Sequence, residues 1–278
     1  MNQLVSEKPY GVEVAARFVA ARSGAFRLAD YPGRLPQTME EAYLIQDAAM
    51  QLRGGTVGGW KLGRINPPFD EAMGTNRLAG PIFSDLIVTA PRHGTASMPV
   101  IAEGFAAAEA EFLLRLRNDI APGQALSADL EESVDRIAFG IEIASSPLRS
   151  INDLGPAVTA SDFGNNHGLL VGPDVDLRAS LELDEIPVSL SIDGVVIGRG
   201  TTATMLDGPW GALRFLLELT SARDIVLSAG QWVSTGAVTG VHRVAPGQRV
   251  DARFGETILS CVITRQAQVT EQLRCMTT

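Results

Sequence analysis

The sequence predicts an α+β protein, a β-rich core preceded by a small helical region, on three observations. Helical periodicity dominates the first 55 residues. From Thr56 onward, short β-prone runs broken by Gly and Pro follow one another in series. Helices stand apart from these runs instead of alternating with them, unlike the strand–helix repeat of a doubly wound sheet. The expected division is a helical region over 1–55 and a β-rich core over 56–278.

Residues 12–22 are rich in Ala and Val with a helical period, and 23–36 carry Gly24, Pro32, Gly33 and Pro36, which make a loop. Thr38 and Glu41 form a capping box ahead of Ala42, Ile45, Ala49 and Leu52, and Gly54-Gly55 stops that helix. Strands are predicted over 57–62, 82–89, 106–116 and 137–144. Ser127, Leu130, Val134 and Ile137 predict a short helix with acidic residues in its first turns. Asp193-Gly194 between two apolar runs signals a hairpin of 186–192 with 195–200. Asp207 as N-cap and Pro209 open a helix with Trp210, Leu213, Leu216, Leu217 and Thr220 on its apolar face. Four strands close the chain, over 231–236, 238–244, 248–254 and 257–264, with turns at Pro246-Gly247 and Gly255-Glu256.

A hydrophobic fraction of 45% in 278 residues suffices for a full core, and a net charge of −9 without a basic stripe excludes nucleic acid and an anionic membrane surface as partners. No run approaches the ~18 apolar residues of a membrane span, and the first residues lack a basic or apolar leader. Cys261 and Cys275 have no metal-binding spacing, and Cys261 sits in an apolar run. A cytoplasmic protein with reduced thiols is expected. No GxGxxG or P-loop motif occurs, so nucleotide chemistry is unsupported.

The chemical signal lies in carboxylates inside apolar strands. Glu109 and Glu111 in AAAEAEFLL share one face of a strand, with Ala110, Phe112, Leu114 and Leu116 on the other. Glu142 stands in FGIEIA, where an ionised carboxylate costs several kcal/mol, roughly, unless compensated. A half-solvated strand carrying Arg115 and Arg117, or an Arg partner for Glu142, would also account for these residues. As ligands, three carboxylates without nearby His or Cys favour Mg2+ or Mn2+ over zinc. Lys61, between Gly58-Gly59 and Gly63, could act as acid, base or anion clamp. The polar loop from Ser161 through Asp162, Asn165 and Asn166 to His167 makes His167 the best candidate for titration near neutrality. Ser234, Thr235 and Thr239 could line a site.

Gly59-Trp60-Lys61-Leu62-Gly63, Glu109-Ala-Glu111, Glu142, Ala160-Ser161-Asp162 and the tail segments VAPG (244–247) and VDARFG (250–255) together resemble the 2-keto-4-pentenoate hydratase and 4-oxalocrotonate decarboxylase family, within the fumarylacetoacetate hydrolase superfamily. The likeness runs from about Val12 to the tail. It implies a fumarylacetoacetate-hydrolase-like core, Mg2+ or Mn2+ on Glu109, Glu111 and Glu142, and a 2-oxo or 2-hydroxydienoate acid as substrate. It further implies proton transfer by Lys61 with Asp85 and His167 as further catalytic candidates, substrate contacts from Asp162, Asn165 and Thr239, and a homo-oligomer. The hydratase activity is expected first, then decarboxylation, with C–C hydrolysis or a silent acid-binding relative behind them. Two departures bear on the choice: Arg77-Leu78-Ala79-Gly80 stands where hydratases carry an Asp, and Asn165, Asn166 and His167 replace small residues.

Overall fold

The computed structural model describes residues 11–92, 94–125, 127–175 and 186–268; Cys275 and the first ten residues, on which expectations were stated, lie outside that set. Two helices come first, α1 (Val12–Gly24) and α2 (Met39–Arg53). The expected cap on α2 forms, with Glu41 N donating to Thr38 Oγ1 at 3.2 Å, while the Glu41 carboxylate accepts from Gln37 N at 2.8 Å.

The core then runs β1 (Val57–Arg64), α3 (Phe69–Met73), β2 (Arg77–Phe83), β3 (Ile87–Thr89), β4 (Ala96–Val100), β5 (Phe105–Leu116), α4 (Pro122–Ala125), β6 (Val134–Ser146), α5 (Pro156–Ser161) and β7 (Asn166–Val175). After the 186–200 hairpin of β8 (Val188–Ile192) and β9 (Val195–Gly200) come α6 (Gly208–Ala222), β10 (Trp232–Ser234), β11 (His242–Arg243), β12 (Arg249–Phe254) and β13 (Thr257–Arg265). One mixed sheet has the order β2-β1-β10-β5-β6-β7-β3, with β11 also on β5; the other has the order β4-β13-β12-β8-β9. The α+β class and β-rich core are as the sequence predicts.

The long antiparallel pair β5–β6 is the spine, and its register sets Glu109 opposite Glu142. One face of β5, with Ala108, Ala110, Phe112 and Leu114, packs toward the smaller sheet, where Phe139 stacks on Phe254 at 4.6 Å and Phe112 meets Phe254 edge-on at 5.6 Å. Phe18 of α1 and Ile45 of α2 share a second core with Phe83, Phe105, Ala107 and Ala144. Gln46 ties α2 to the β2 and α5 backbones through Ala79 O at 2.9 Å and Ala160 O at 2.8 Å. Every residue of β5 from Phe105 to Leu114 is buried, so the half-solvated alternative for the Glu-Ala-Glu strand does not hold.

Four local expectations are corrected. The helix predicted from Ser127 to Ile137 is instead a turn at Asp129, whose Oδ1 accepts from Glu132 N at 3.0 Å, followed by β6; Val134 and Ile137 are claimed by pairing with β5. The strand predicted over 82–89 divides at a 3-10 turn, Ser84–Leu86, so that β2 pairs with β1 and β3 with β7. In 238–244 only His242–Arg243 forms a strand, because the segment before it wraps a cavity. Asp207 makes no side-chain cap on α6; its carboxylate turns to Arg77.

Candidate metal centre and its cavity

Three strands converge on one point. Alternation along β5 sends Glu109 and Glu111 to the same face, and cross-strand pairing adds Glu142 from β6. One oxygen from each can be chosen so that all lie within 4.8 Å of one another. Strand β1, one strand beyond β10, adds Lys61, whose Nζ lies 3.2 Å from Glu142 Oε2. All four side chains are buried.

The remaining contacts fix the carboxylates without neutralising them. Ser234 Oγ donates to Glu111 Oε2, which also accepts from Gly236 N at 3.0 Å. Asn166 Nδ2 donates to Glu142 Oε1 at 2.9 Å. Glu111 Oε1 has no hydrogen-bond partner among the described residues, and Glu142 Oε2 has the Lys61 ammonium alone. With one ammonium against three carboxylates, full ionisation leaves two negative charges uncompensated.

The titration behaviour states the same demand. Burial, opposed by Lys61 and reinforced by Glu142, pushes Glu109 up to about 7, and burial with Glu142 and Glu109 raises Glu111 well above the carboxylate range. Burial would lower Lys61, but Glu142, Glu109 and Glu111 outweigh it and hold the amine protonated. One orphaned, buried carboxylate oxygen on Glu111 and one on Glu142 met by the Lys61 ammonium alone, in an all-oxygen donor set with a charge deficit of two, fit a hard divalent cation. Glu109, Glu111 and Glu142 are the residues that would hold it.

Beside this point opens a cavity of about 680 Å³, lined by Lys61, Glu109, Asn165, Arg77, Leu78 and the 235–238 segment among others. Glu109 is the only carboxylate among its described lining residues. Asn165 Oδ1 lies 3.5 Å from Lys61 Nζ, and its amide nitrogen donates to Asn152 Oδ1 at 3.0 Å. Gly63 keeps the approach to the amine open: a Cβ there would stand 3.8 Å from Lys61 Nζ.

Other residues singled out in the sequence sit elsewhere. Asp85 is exposed, paired with Arg53 at 2.7 Å, and lines a separate cavity of about 350 Å³ with His167. His167 is buried between Arg22 and Gln266, and burial, then Arg22, lowers it to about 3; the expectation of a His titrating near neutrality is corrected accordingly. Asp162 does not line the large cavity but is buried against Arg22 Nε at 2.5 Å and Ser146 Oγ at 2.6 Å. Thr239 lies between Val238 and Gly240, which line the cavity, while its own carbonyl accepts from His242 Nε2 at 2.9 Å. Neither Asp85 nor His167 is among the described residues that line the cavity with Lys61.

Sequence reasoning did not assign Asn166, Asn152 or Arg77. Arg77 had a signal, a charge opening the otherwise uncharged strand RLAGPIF; Asn152 had none.

This architecture and its three-carboxylate centre define a protein with the fold of the fumarylacetoacetate hydrolase superfamily. A solved 4-oxalocrotonate decarboxylase from Pseudomonas putida, complexed with magnesium and adipate, matches with a TM-score of 0.73 at 20% identity, over 91% of this chain and 96% of that one. In sequence the chain is 28% identical over 200 residues to a 2-keto-4-pentenoate hydratase of Burkholderia vietnamiensis, covering 71% of this chain and 75% of the relative. It is 25% identical over 239 residues to a 4-oxalocrotonate decarboxylase of a Pseudomonas species, covering 81% and 84%. No protein-family profile matches the chain. In sequence the chain is thus similar to hydratases and decarboxylases alike, and in fold to a solved decarboxylase.

Proposed function

We propose that this protein is a divalent-metal-dependent lyase acting on 2-oxo or 2-hydroxydienoate acids, in the first place a hydratase. The observation that carries the reading is the cluster of buried Glu109, Glu111 and Glu142, with Glu111 Oε1 lacking a partner among the described residues, set against a protonated Lys61 at the wall of an open cavity. Mg2+ or Mn2+ bound there would stabilise negative charge developing on the 2-oxo oxygen.

The chain's own residues supply the rest. Lys61 Nζ holds a proton that Glu142 and Asn165 orient, and can deliver it to a substrate carbon or oxygen. Gly63 leaves that amine accessible. Burial of the carboxylates excludes water from the metal side, so substrate enters from the cavity.

Decarboxylation is the second reading, favoured by one observation. Leu78 and Ala79 occupy β2 where hydratases are expected to carry an acid, and no carboxylate but Glu109 faces the cavity among the described residues. A cytoplasmic location, assembly as a homo-oligomer and a role in aromatic breakdown accompany the reading; among the described residues no helix is long and apolar enough to cross a membrane. Size-exclusion chromatography with light scattering reads the assembly directly.

The test is NMR of a panel of 2-hydroxydienoates and 2-oxo diacids in D2O with the Mg2+-loaded protein. Hydration gives a deuterated 4-hydroxy-2-oxo acid and decarboxylation gives CO2 and a shorter acid. Turnover that is indifferent to EDTA, or none on any acid of the panel, overturns the proposal.

A further inference from the structure

Arg27, Arg149 and Arg243 come from three distant stretches of the sequence, yet all three line both of two adjoining depressions of about 480 and 280 Å³. No described residue that lines the cavity beside the metal centre lines either one. Backbone pairing brings the three cations together. Leu28 bridges Leu148, and its N–H donates to Pro147 O at 3.0 Å, which sets Arg27 and Arg149 on the two segments that meet there. Arg243 pairs with Ala107 on β5, two residues before Glu109, and its guanidinium lies over the Phe105 ring at 5.0 Å from the centroid. Stacking of this kind steadies the planar fork and leaves its edge donors for a ligand.

All three residues are exposed, and none of their side chains makes an ion pair or hydrogen bond among the described residues. Other exposed arginines do: Arg34, Arg249 and Arg265 each hold a carboxylate. Two acids line the depressions, and neither serves the cluster. Glu103 is taken by Arg265 at 2.7 Å, and Asp153 is paired with none of the three. Three cations against the one remaining carboxylate leave two positive charges uncompensated, in a chain whose net charge is −9. Such a convergence calls for a multiply charged anion. A phosphate group carries a charge of about −1.5 to −2 at neutral pH and offers three acceptor oxygens, matching both the deficit and the forked donors. A monocarboxylate would answer only one of the two charges. An extended polyanion is disfavoured, because Glu103 and Asp153 flank the spot and would repel the phosphates that follow.

We propose that Arg27, Arg149 and Arg243 form a binding site, separate from the metal centre, for a phosphate group, either free or carried on a small metabolite. A phosphate held there ties the segment after α1, the segment after β6 and strand β11 to one another. Those segments adjoin the strands that carry Glu109 and Glu142, so occupancy braces the helical region against the core and stabilises the folded chain in proportion to ligand concentration. The inference does not depend on the lyase reading.

The experiment is calorimetric titration of the Mg2+-loaded protein with inorganic phosphate and with glycerol 3-phosphate at neutral pH and constant ionic strength, alongside thermal unfolding. The proteins are wild type, Arg149→Gln, the triple variant Arg27→Gln/Arg149→Gln/Arg243→Gln, and Arg199→Gln, which removes an exposed charge from β9 instead. Wild type is expected to bind one phosphate per chain with a Kd of about 1 mM or tighter, and Arg149→Gln to bind about tenfold more weakly. The triple variant should show no saturable binding and no rise of Tm with phosphate, whereas Arg199→Gln should match wild type. Arg149→Gln carries the test if the triple variant fails to fold. Tighter binding of the ester assigns the site to a phosphorylated metabolite and equal binding assigns it to the phosphate ion; either upholds the proposal. No saturable binding by wild type below about 10 mM, or binding that the triple substitution leaves unchanged, overturns it. Light scattering that shows the triple variant losing mass relative to wild type, with no phosphate bound by wild type, assigns the cluster to an acidic face of a second copy and overturns it too.

Discussion

Replacing Arg22 by Met tests how the metal centre is braced from the helical region. Arg22 leaves the last turn of α1 and meets the 162–166 turn through Asp162 Oδ1 at 2.5 Å, Asp162 O at 3.1 Å and Asn166 O at 2.9 Å, over the Phe163 ring. Methionine keeps much of the stem's volume and strips the charge. Asp162, 1% exposed, is then left with Ser146 Oγ and no cation, and breaking a buried pair this way costs about 3–5 kcal/mol. The damage reaches the metal centre because Asn166, which loses its carbonyl donor, holds Glu142 Oε1. Loss of such outer-shell support lowers metal affinity by about 10- to 100-fold. Urea unfolding in EDTA reads the stability, and Mg2+ titration reads the affinity. Adding Asp162→Asn to Arg22→Met removes the stranded charge and is expected to recover most of the stability. Unfolding of Arg22→Met within about 1 kcal/mol of wild type, with unchanged Mg2+ affinity, would refute the bracing argument.

Lys61→Met removes the ammonium that competes with a cation for the same carboxylates, so calorimetry is expected to show tighter Mg2+ binding while turnover falls by about 100-fold or more; weaker binding contradicts the competition. Gly63→Val places a Cβ 3.3 Å from Leu78 Cδ1 and 3.8 Å from Lys61 Nζ, with branched methyls beyond it, so kcat/KM should fall by about tenfold at near-unchanged Tm. An unaltered kcat/KM would show that substrate does not approach past Gly63. His167 stays neutral in the fold down to about 3, whereas the unfolded chain protonates it near about 6.5. The unfolded state therefore binds more protons below that point: the contribution is complete above about pH 6.5 and is lost as pH falls toward 3. His167→Gln, which removes the group, should flatten the stability–pH slope over that window, and an unchanged slope refutes the assignment.

The site was legible where local spacing alone decides geometry. Glu109 and Glu111 had to share a face once the run was a strand, and Glu142 was anomalous in any buried strand. What the spacing could not supply was register: that Glu142 lies opposite Glu109, and that β10 inserts between β1 and β5 to present Ser234 and Gly236 to Glu111, are long-range facts. Polar residues read as a loop illustrate the other limit. Asp162 and His167 are polar because they neutralise or accommodate a buried Arg22 from a helix 140 residues away, and no local pattern distinguishes that from facing substrate. The 127–137 helix failed for a related reason, since the spacing of Leu130, Val134 and Ile137 suits a helix but the pairing of β6 with β5 outweighs that preference. Asp207 carried a strong capping signal and yet serves Arg77, a choice made by tertiary contact.

The central claim is that Glu109, Glu111 and Glu142 bind one divalent cation. Its most direct test is electron paramagnetic resonance of EDTA-stripped protein titrated with Mn2+, for wild type and the single Glu→Gln variants at each of the three positions. The account predicts one bound Mn2+ per chain in wild type, displaced by Mg2+, and affinity lowered by at least about tenfold in every variant. No bound Mn2+ in wild type, or binding that survives all three substitutions unchanged, would contradict it.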